Sequence, residues 1–479
     1  MEAFIPFSLT RRPLMESDQA ERIYHQACRV LAEVGLEIHE PEFQETLQKA
    51  GLRGAGKRIF IDQQVIDEHV AALRQRLWAA QTQVKSHDDR LIHLQTSSYG
   101  LFLHDPVTDQ VIPYTTERLV EMTKFIDSFT DEAVGGAPPG IPGDVHPDLM
   151  PIAQYRIAAL YARQGATPVD PTSARTVRYL LDMAEVMDRP ITSLPVYLPT
   201  PLRLGGESLQ VVLACLDRLE GIWVGSMPST GSSAPLQPFG AFVLAAAEVL
   251  GGLVTVHLLT RKPVTCSVSI FPSSLREGSM VFGSPESMLF QMLSDDFNRF
   301  LGHVPESLPL TGPNNIHDMA KLPDCQSAAE KAAILMVGAA LGTRWFSGAG
   351  MLSLDEIFSP EQLLVDCEIR DWVQRAIRGI KPGENDVSDW VEEIREGMKG
   401  GFTGRDSTLD HYREYNWFPR WFQQGAIGAW NKRGQPRLAT ALKAEVQRRI
   451  ARHSYEPDAE RRRAIEAIYN MARRAVEGG

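Results

Sequence analysis

Apolar residues in the first part of the chain recur every three or four positions, which is the spacing of one face of an α-helix. The pattern runs from about residue 17 to residue 85 and is clearest at Ile23, Ala27, Val30, Leu31 and Val34, and again at Val65, Ile66, Val70 and Leu73. It predicts a helical extension that occupies residues 1–90.

A different rhythm begins near residue 190, where short β-rich runs alternate with longer amphipathic stretches. The predicted strands cover 191–198, 222–226, 264–270, 307–310 and 343–346. The predicted helices cover 208–219, 237–259, 285–301, 323–341 and 360–380. Strands that alternate with helices at this spacing predict a parallel sheet with covering helices.

Three helix starts carry the expected local signals. Ser284-Pro285-Glu286 and Ser359-Pro360-Glu361 each combine a capping hydroxyl, a proline at the first helical position and an acid in the first turn. Leu322-Pro323-Asp324 repeats the proline and the acid. We therefore predict that helices begin at these prolines.

The loops that follow the predicted strands are rich in glycine, serine and proline, at 225–228, 311–315 and 347–350. In a (β/α)₈ barrel such loops form the C-terminal face, where active sites occur. We predict an α/β fold, a (β/α)₈ TIM barrel over 91–385, with the N-terminal helical extension over 1–90 and a C-terminal helical segment over 386–479 packed on it. A doubly wound open sheet is the structural alternative.

Charge and composition narrow the function. The formal net charge of -11 argues against a nucleic-acid partner and suits a cationic small molecule. Five scattered cysteines without a CxxC pair, and an N-terminus without signal-peptide features, favour a reducing cytoplasm. The apolar run 239–259 is interrupted by Glu248 and His257, so no membrane span is expected.

Common catalytic signatures are missing from the sequence: there is no P-loop, HExxH, GxSxG or dinucleotide-binding GxGxxG motif. Gly348-Ala349-Gly350 is interpreted as a sharp turn because it lacks the third glycine and the acid that would contact a ribose. The segment from Asp105 to Asp109 lacks most ligands of a calcium loop, so we predict a hairpin turn there.

Eight stretches resemble the trimethylamine methyltransferase family, in the family's order and over nearly the whole chain. They read ERIYHQACRVLAEVGLEIHEPE, LHDPVTDQVIPYTTERL, TPLRLGGESLQ, MPSTGSSAPLQPFGAFVLAAAEVLGGL, FGSPE, KLPDCQSAAEKA, SGAGML and GGFTGRDSTLDHYREYNWFPRWF. No single stretch is diagnostic, but their common order argues against coincidence.

The resemblance implies a barrel that binds a methylated amine in its mouth. It also implies a partner, a small corrinoid-binding protein that carries the corrinoid (cobalamin) and docks over that mouth, with no cofactor tightly bound to this chain. A homo-oligomer is expected. Family members with pyrrolysine act on tertiary amines, whereas many relatives without it are thought to act on quaternary amines such as glycine betaine. The absence of a non-standard residue therefore favours a quaternary substrate.

The chemistry favours the same substrate class. A quaternary ammonium leaves as a neutral amine, so it needs no general acid, and the enzyme has only to align the methyl carbon and exclude water. Because the positive charge disappears along the reaction, too strong a grip on the cation would stabilise the ground state most. Aromatic faces, each contributing about 0.5–2 kcal/mol, suit this requirement.

Candidate site residues lie near predicted strand ends. The predicted catalytic residues are Glu330 and His317, and the predicted substrate-binding residues are Tyr99, His104, Trp223, Phe271, Asn314, Phe346 and Phe358. Trp345 and His257 are further candidates, and no metal ligand is predicted. Each aromatic side chain can instead be core packing, and a single histidine is more often structural.

Two segments near the active end are open to a structural interpretation. Asp324 is better explained by the helix dipole than by catalysis, whereas Glu330 shares a helical face with Gln326 and orients the amine or the cobalt if that face points inward. The aromatic cluster at 417–422 is interpreted as packing the C-terminal segment against the barrel.

The chain departs from the family pattern near the expected active end. Ser347 stands where many relatives carry a histidine, Asp318-Met319-Ala320-Lys321 replaces Thr-Asp-Ser-Lys, and Ala245-Ala246 replaces Gln-Asn. These changes weaken the case for trimethylamine itself. Two alternatives remain: a barrel that binds a methylated amine or a partner protein without methyl transfer, and an aldolase-type barrel with Lys321 as a Schiff-base amine.

Overall fold

The computed structural model describes residues 4–81, 91–166, 169–304, 308–381 and 389–478. The helices are α1 Ser17–Glu33, α2 Pro41–Lys49, α3 Gln63–Gln81, α4 Thr116–Asp127, α5 Met150–Tyr161, α6 Val177–Val186, α7 Glu207–Ala214, α8 Pro238–Thr260, α9 Pro285–Phe300, α10 Cys325–Ala340, α11 Pro360–Arg378, α12 Trp390–Gly400, α13 Asp406–Tyr415, α14 Ile427–Lys432, α15 Leu438–Ala451 and α16 Ala459–Glu477.

The strands are short and lie between the helices. They are β1 Leu36–Ile38, β2 Arg53–Ala55, β3 Arg58–Phe60, β4 His93–Gln95, β5 Phe102–Asp105, β6 Gln110–Pro113, β7 Val134–Gly135, β8 Ser193–Tyr197, β9 Arg203–Leu204, β10 Gly221–Gly225, β11 Val264–Cys266, β12 Ser273–Ser274, β13 Ser279–Met280, β14 Trp345–Ser347, β15 Met351–Leu352 and β16 Ile357–Phe358.

Two parallel sheets form the centre of the fold. One has the order β11-β10-β8, with Trp223 of β10 opposite Pro195 and Thr265. The other has the order β14-β4-β7, extended beside β14 by a parallel bridge from Asn315 to Ser347. The predicted alternation of strands and helices is confirmed at β8, β10, β11 and β14, and the protein is a mixed α/β fold.

Within the described ranges, hydrogen bonds do not join the two parallel sheets into a closed barrel. Of the predicted strand 307–310, residue 307 lies outside the described residues and 308–310 form no strand. A further sheet with the order β15-β16-β5-β6 stands beside the parallel strands. Its β5–β6 hairpin confirms the turn predicted between Asp105 and Asp109.

The N-terminal extension is mainly helical, as predicted, but it also contains β1, β2 and β3, which the sequence interpretation missed. β2 and β3 pair as a hairpin across Gly56-Lys57, and Gly56 has a φ of 58°. A two-residue turn of this kind favours glycine at positive φ. The hairpin therefore overrides the helical periodicity of its surroundings.

Helix starts follow the predicted caps with one correction. The hydroxyls of Ser284 and Ser359 accept hydrogen bonds from the backbone of α9 and α11, at 3.1 and 3.2 Å. The third predicted start is wrong, because α10 begins at Cys325 rather than at Pro323. Asp324 is its N-cap, and its carboxylate accepts a hydrogen bond from the Gln326 N–H at 2.9 Å, which agrees with the structural role preferred for it.

The apolar helix α8 packs in the core between α1 and β10. Gly252 allows close contact, because a Cβ there would lie 2.6 Å from Val224. By length and composition α8 could cross a membrane. This differs from the expectation that Glu248 and His257 would exclude a membrane span. However, 72% of its most apolar window is buried inside the protein, as in the core helix of a soluble protein.

The C-terminal segment is helical and packs on the α/β core. Trp421 and Phe422 lie against the same hydrophobic cluster as Phe346, as the interpretation of the aromatic cluster predicted. The last helix, α16, packs against α5 and α6. Phe418, in contrast, is 53% exposed.

Candidate active site

Three aromatic side chains and one carboxylate meet beside strands β8 and β10 of the central sheet. The Tyr99 hydroxyl donates a hydrogen bond to Oδ2 of Asp170, and the Tyr197 hydroxyl donates to the same oxygen at 2.8 Å. The Trp223 ring meets the Tyr197 ring edge to face, with centroids 5.8 Å apart. We call these four residues the aromatic–carboxylate cage.

Strand alternation places Tyr197 and Trp223 on one side of the sheet. Val196 and Val224 are buried in the core, so the neighbouring Tyr197 and Trp223 project from the opposite face. Tyr197 pairs with Gly225, the last residue of β10. A Cβ at Gly225 would lie 2.1 Å from the Trp223 ring, so glycine is needed for this ring position.

The electrostatics of the cage suit a cation. Burial and the neighbouring Asp170 charge raise the pKa of both the Tyr99 and Tyr197 phenols above their usual value, so both hydroxyls stay protonated donors at neutral pH. Tyr99 and Tyr197 nevertheless remain 44% and 39% exposed. Ring faces beside a carboxylate form an environment that attracts an ammonium group.

Sequence reasoning named Tyr99 and Trp223 but missed Asp170 and Tyr197. Tyr197 lies inside the predicted strand 191–198, but the strand prediction alone does not place its side chain in a site. Asp170 follows Val169 directly and precedes Pro171. So short an apolar run gives no strand signal, although an acid flanked by Pro168 and Pro171 in the sequence is a usable hint of a loop.

A second group of residues follows the next strands. The Phe271 and Phe282 rings meet edge to face with centroids 5.6 Å apart, and Phe282 lies 5.7 Å from the His317 ring. Nδ1 of His317 lies 2.6 Å from Oδ1 of Asn315, an oxygen that also accepts the His317 backbone N–H. Two predicted residues, Phe271 and His317, therefore belong to one aromatic stack.

The protonation state of His317 follows from its surroundings. Burial, together with the charge of Lys331, lowers the pKa of His317 to about 3. The ring is therefore neutral near pH 7, and Nδ1 must carry the proton because it faces a carbonyl oxygen. Nε2 then presents a buried lone pair without a hydrogen-bond partner among the described residues. It cannot donate to a substrate carboxylate.

Glu330 is half-buried and faces the loops rather than open solvent. Its carboxylate accepts hydrogen bonds from the Met319 backbone N–H at 3.2 Å and from the Gln326 amide at 2.8 Å. A Cβ at Gly283 would lie 2.3 Å from Oε2 of Glu330. The Glu330 carboxylate therefore lies against the segment that precedes α9, at Gly283, and against a segment that follows α9, at Met319.

A buried ion pair supports the glycine turn at 348–350. Nζ of Lys331 donates to the Gly348 carbonyl oxygen at 2.7 Å and lies 3.2 Å from Oδ2 of Asp366. The same Asp366 oxygen accepts the Gly350 N–H at 2.7 Å. Asp318 lies beside this pair, and burial raises its pKa to about 6.

The remaining predicted residues lie elsewhere. Phe346 and Phe358 are 1% and 0% exposed in the hydrophobic core, so we do not carry them into the site. The three-residue strand β14 turns Phe346 inward and leaves Trp345 exposed, stacked on His93 at its amino end. Asn314 is exposed, and its backbone N–H donates to Gln291 at 3.0 Å.

Two histidines are separate from these groups. His104 lies on β5, in the sheet that includes β16, with its ring between the carboxylates of Asp109 and Glu361. His257 lies near the C-terminal end of α8, where its Nδ1 is 2.8 Å from the Lys262 carbonyl oxygen. Neither contact involves a residue of the cage.

A sequence model described as trimethylamine methyltransferase matches residues 5–99 and 172–479. The chain belongs to the trimethylamine methyltransferase family. The methyltransferase class expected from the resemblance is therefore confirmed. The match ends at Tyr99 and resumes after Asp170, so the family match does not include the carboxylate of the cage.

Family relatives cover nearly the whole chain. Trimethylamine methyltransferase MttB of Methanosarcina barkeri is 26% identical, over 97% of this chain and 96% of its own length. Glycine betaine methyltransferase of Desulfitobacterium hafniense is 21% identical, over 94% of each chain. The solved monomethylamine methyltransferase MtmB of Methanosarcina barkeri is 10% identical, with a TM-score of 0.40, over 90% of this chain and 97% of its own.

Proposed function

We propose that this family member transfers a methyl group from a quaternary amine, such as glycine betaine, to the corrinoid of a small partner protein. The observation that carries the substrate class is the aromatic–carboxylate cage, in which two tyrosine hydroxyls share one oxygen of Asp170. The family supplies the reaction class, and one relative is a glycine betaine methyltransferase.

The strand order supports a single barrel as the scaffold. β14, the last strand of the two central sheets, pairs with β4, their first strand, and β7 lies on the other side of β4. β8, β10 and β11 follow in chain order in the second sheet. We propose that both sheets are arcs of one (β/α)₈ barrel. In that arrangement Tyr99 and the cage follow the carboxyl ends of its strands, where barrel enzymes hold substrates.

The cage matches the demands of the reaction. A cation attracted by the faces of Tyr99, Tyr197 and Trp223 is oriented without being held by a full ion pair. The two phenol hydrogen bonds share the charge of Asp170, which moderates its pull on the ammonium group. This matters because the positive charge disappears as the methyl group departs, and a strong ground-state grip would slow the reaction.

The site is compatible with a methyl acceptor that arrives from outside the chain. When bound, the corrinoid supplies a cobalt nucleophile for the methyl carbon. The residues of this chain hold the ammonium group, exclude water from it and keep one face accessible, which the partial exposure of Tyr99 and Tyr197 allows. A neutral amine leaves, so no side chain is required to donate a proton.

The alternatives predict different observations. Purified protein, a reduced corrinoid protein and a panel of quaternary amines should yield a demethylated amine from at least one of them. A binding protein without catalysis would show substrate-dependent thermal stabilisation and no product. A Schiff-base enzyme would be trapped by borohydride at Lys321, whose Nζ lies 2.8 Å from the Ser353 hydroxyl.

A further inference from the structure

A cavity of about 550 Å³ lies apart from the proposed substrate site. It is bounded by the β5–β6 hairpin, the N-terminal ends of α10 and α11, and helix α15. Much of its wall is apolar, including Val365, Phe422 and Leu442. Three ionisable side chains, those of His104, Asp109 and Glu361, also face it.

These three side chains lie close together, with the His104 imidazole between the two carboxylates. One ligand atom from each lies within 4.8 Å of the others. Nε2 of His104 is 3.4 Å from Oδ1 of Asp109, and Nδ1 is 3.5 Å from Oε2 of Glu361. These two distances involve opposite nitrogens of one imidazole, and a single ion bonds to only one of them. Two ligands on a tetrahedral ion are about 3.4 Å apart, so a bound ion would draw together ligand atoms that lie within 4.8 Å of one another.

A second observation points to a ligand. His104 and Glu361 are 2% and 3% exposed. Even so, Nδ1 of His104 and Oε1 of Glu361 have no hydrogen-bond partner within the part of the chain that the structure describes. Polar atoms buried without a partner are costly, and a bound cation would satisfy both.

We propose that His104, Asp109 and Glu361 bind one divalent transition-metal ion, Zn²⁺ by preference, with the remaining coordination positions open to the cavity. One imidazole with two carboxylates is a ligand set that suits Zn²⁺ better than Ca²⁺ or Mg²⁺, which prefer oxygen alone. The ion fastens the β5–β6 hairpin to the start of α11.

None of the residues that line this cavity belongs to the aromatic–carboxylate cage. His104 and Asp109 belong to residues 100–171, which the family match leaves out, and only Glu361 falls within it.

Lys443 of α15 already contacts Asp109, with Nζ 3.0 Å from Oδ1. This ammonium group competes with a metal for the same carboxylate, so its removal should not weaken the site.

The test uses the full-length protein, stripped with a chelator and then titrated with Zn²⁺ alone. We expect one ion per chain by elemental analysis and a higher melting temperature with zinc. D109N and E361Q should bind zinc at least about tenfold more weakly, as measured by competition with a chelator. Asp109 is an exposed side chain, so D109N is expected to fold.

Two control variants keep the result interpretable. K443M should bind zinc at least as tightly as the wild type, because it loses only a competing cation. H146A removes a different, exposed histidine beside an acid, Asp148 at 3.9 Å, and should leave binding unchanged. The proposal is overturned if the wild type binds no zinc, if D109N and E361Q keep wild-type affinity, or if K443M loses binding as D109N does.

Discussion

Lys331 and Asp366 form an ion pair of 3.2 Å in which each side chain is 1% exposed. The pair lies beneath the glycine turn at 348–350, in which the Gly348 and Ala349 N–H groups donate to the carbonyl oxygen of Gln95, the last residue of β4. A buried charge is stable only while its partner remains. The pair therefore ties the stability of the fold to the geometry of the active end.

Removal of the lysine charge should destabilise the protein strongly. In K331M, Asp366 and Asp318 keep their carboxylates but lose the buried cation. We expect the free energy of unfolding to fall by about 3–5 kcal/mol in denaturant titrations. K399M breaks an exposed ion pair with Glu396 and should change it by less than about 1 kcal/mol. Equal losses in the two variants would contradict this role.

His317 should make the protein acid-sensitive. Its pKa is lowered to about 3 in the folded protein, against about 6.5 when unfolded. Below pH 6.5 the unfolded chain binds the proton first, so stability falls as the pH drops from 6.5 toward 3. Between pH 7 and pH 5 the contribution is roughly 2 kcal/mol.

The comparison that isolates this effect is the difference in unfolding free energy between the wild type and H317Q at each pH. That difference should decrease as the pH falls. Asp318 acts in the opposite direction, because its pKa of about 6 lies above the unfolded value and its contribution is lost as the pH rises through 6. A pH-independent difference between wild type and H317Q would show that folding does not lower the pKa of His317.

Trp223 should contribute to affinity for the ammonium group. Replacing it by leucine in W223L removes one ring face, and we expect the dissociation constant of a quaternary amine to rise by a factor that corresponds to about 0.5–2 kcal/mol. W345L is the matched control, since Trp345 is an exposed tryptophan at the opposite, amino end of its strand. Calorimetry that shows the same loss for both would exclude a specific contact.

Glu330 should affect methyl transfer more than stability. E330Q keeps the shape and one acceptor oxygen for the Met319 N–H but removes the charge. We expect product formation to fall by about tenfold or more, since small errors of alignment are costly, with little change in melting temperature. E396Q, which alters an exposed acid, should match the wild type in both. Full activity in E330Q would remove Glu330 from the site.

The sequence predicted what local patterns encode. Caps at Ser284 and Ser359, the strands around Trp223 and the alternation of the α/β core all follow from short-range signals. The family resemblance supplied the reaction class. Both kinds of evidence act along the chain and need no knowledge of which segments meet.

Contacts between distant segments could not be predicted in this way. Tyr99 and Asp170 are 71 residues apart, and nothing in their local sequences indicates that they meet. Phe346 is predicted as a substrate contact, yet in a three-residue strand the pattern is too short to decide whether Trp345 or Phe346 faces the core. The meeting of His104 and Glu361, two of the proposed zinc ligands, could not be predicted for the same reason, because they lie far apart along the chain.

The central claim is that Asp170 and its two tyrosines hold the substrate cation. The most direct measurement is the rate of demethylated amine formation from glycine betaine and from trimethylamine, with a reduced corrinoid protein, in the wild type and in D170N. We predict that the wild type demethylates the quaternary amine and not trimethylamine, and that D170N raises the KM for the quaternary amine. Wild-type conversion of trimethylamine alone, or an unchanged KM in D170N, would contradict the account.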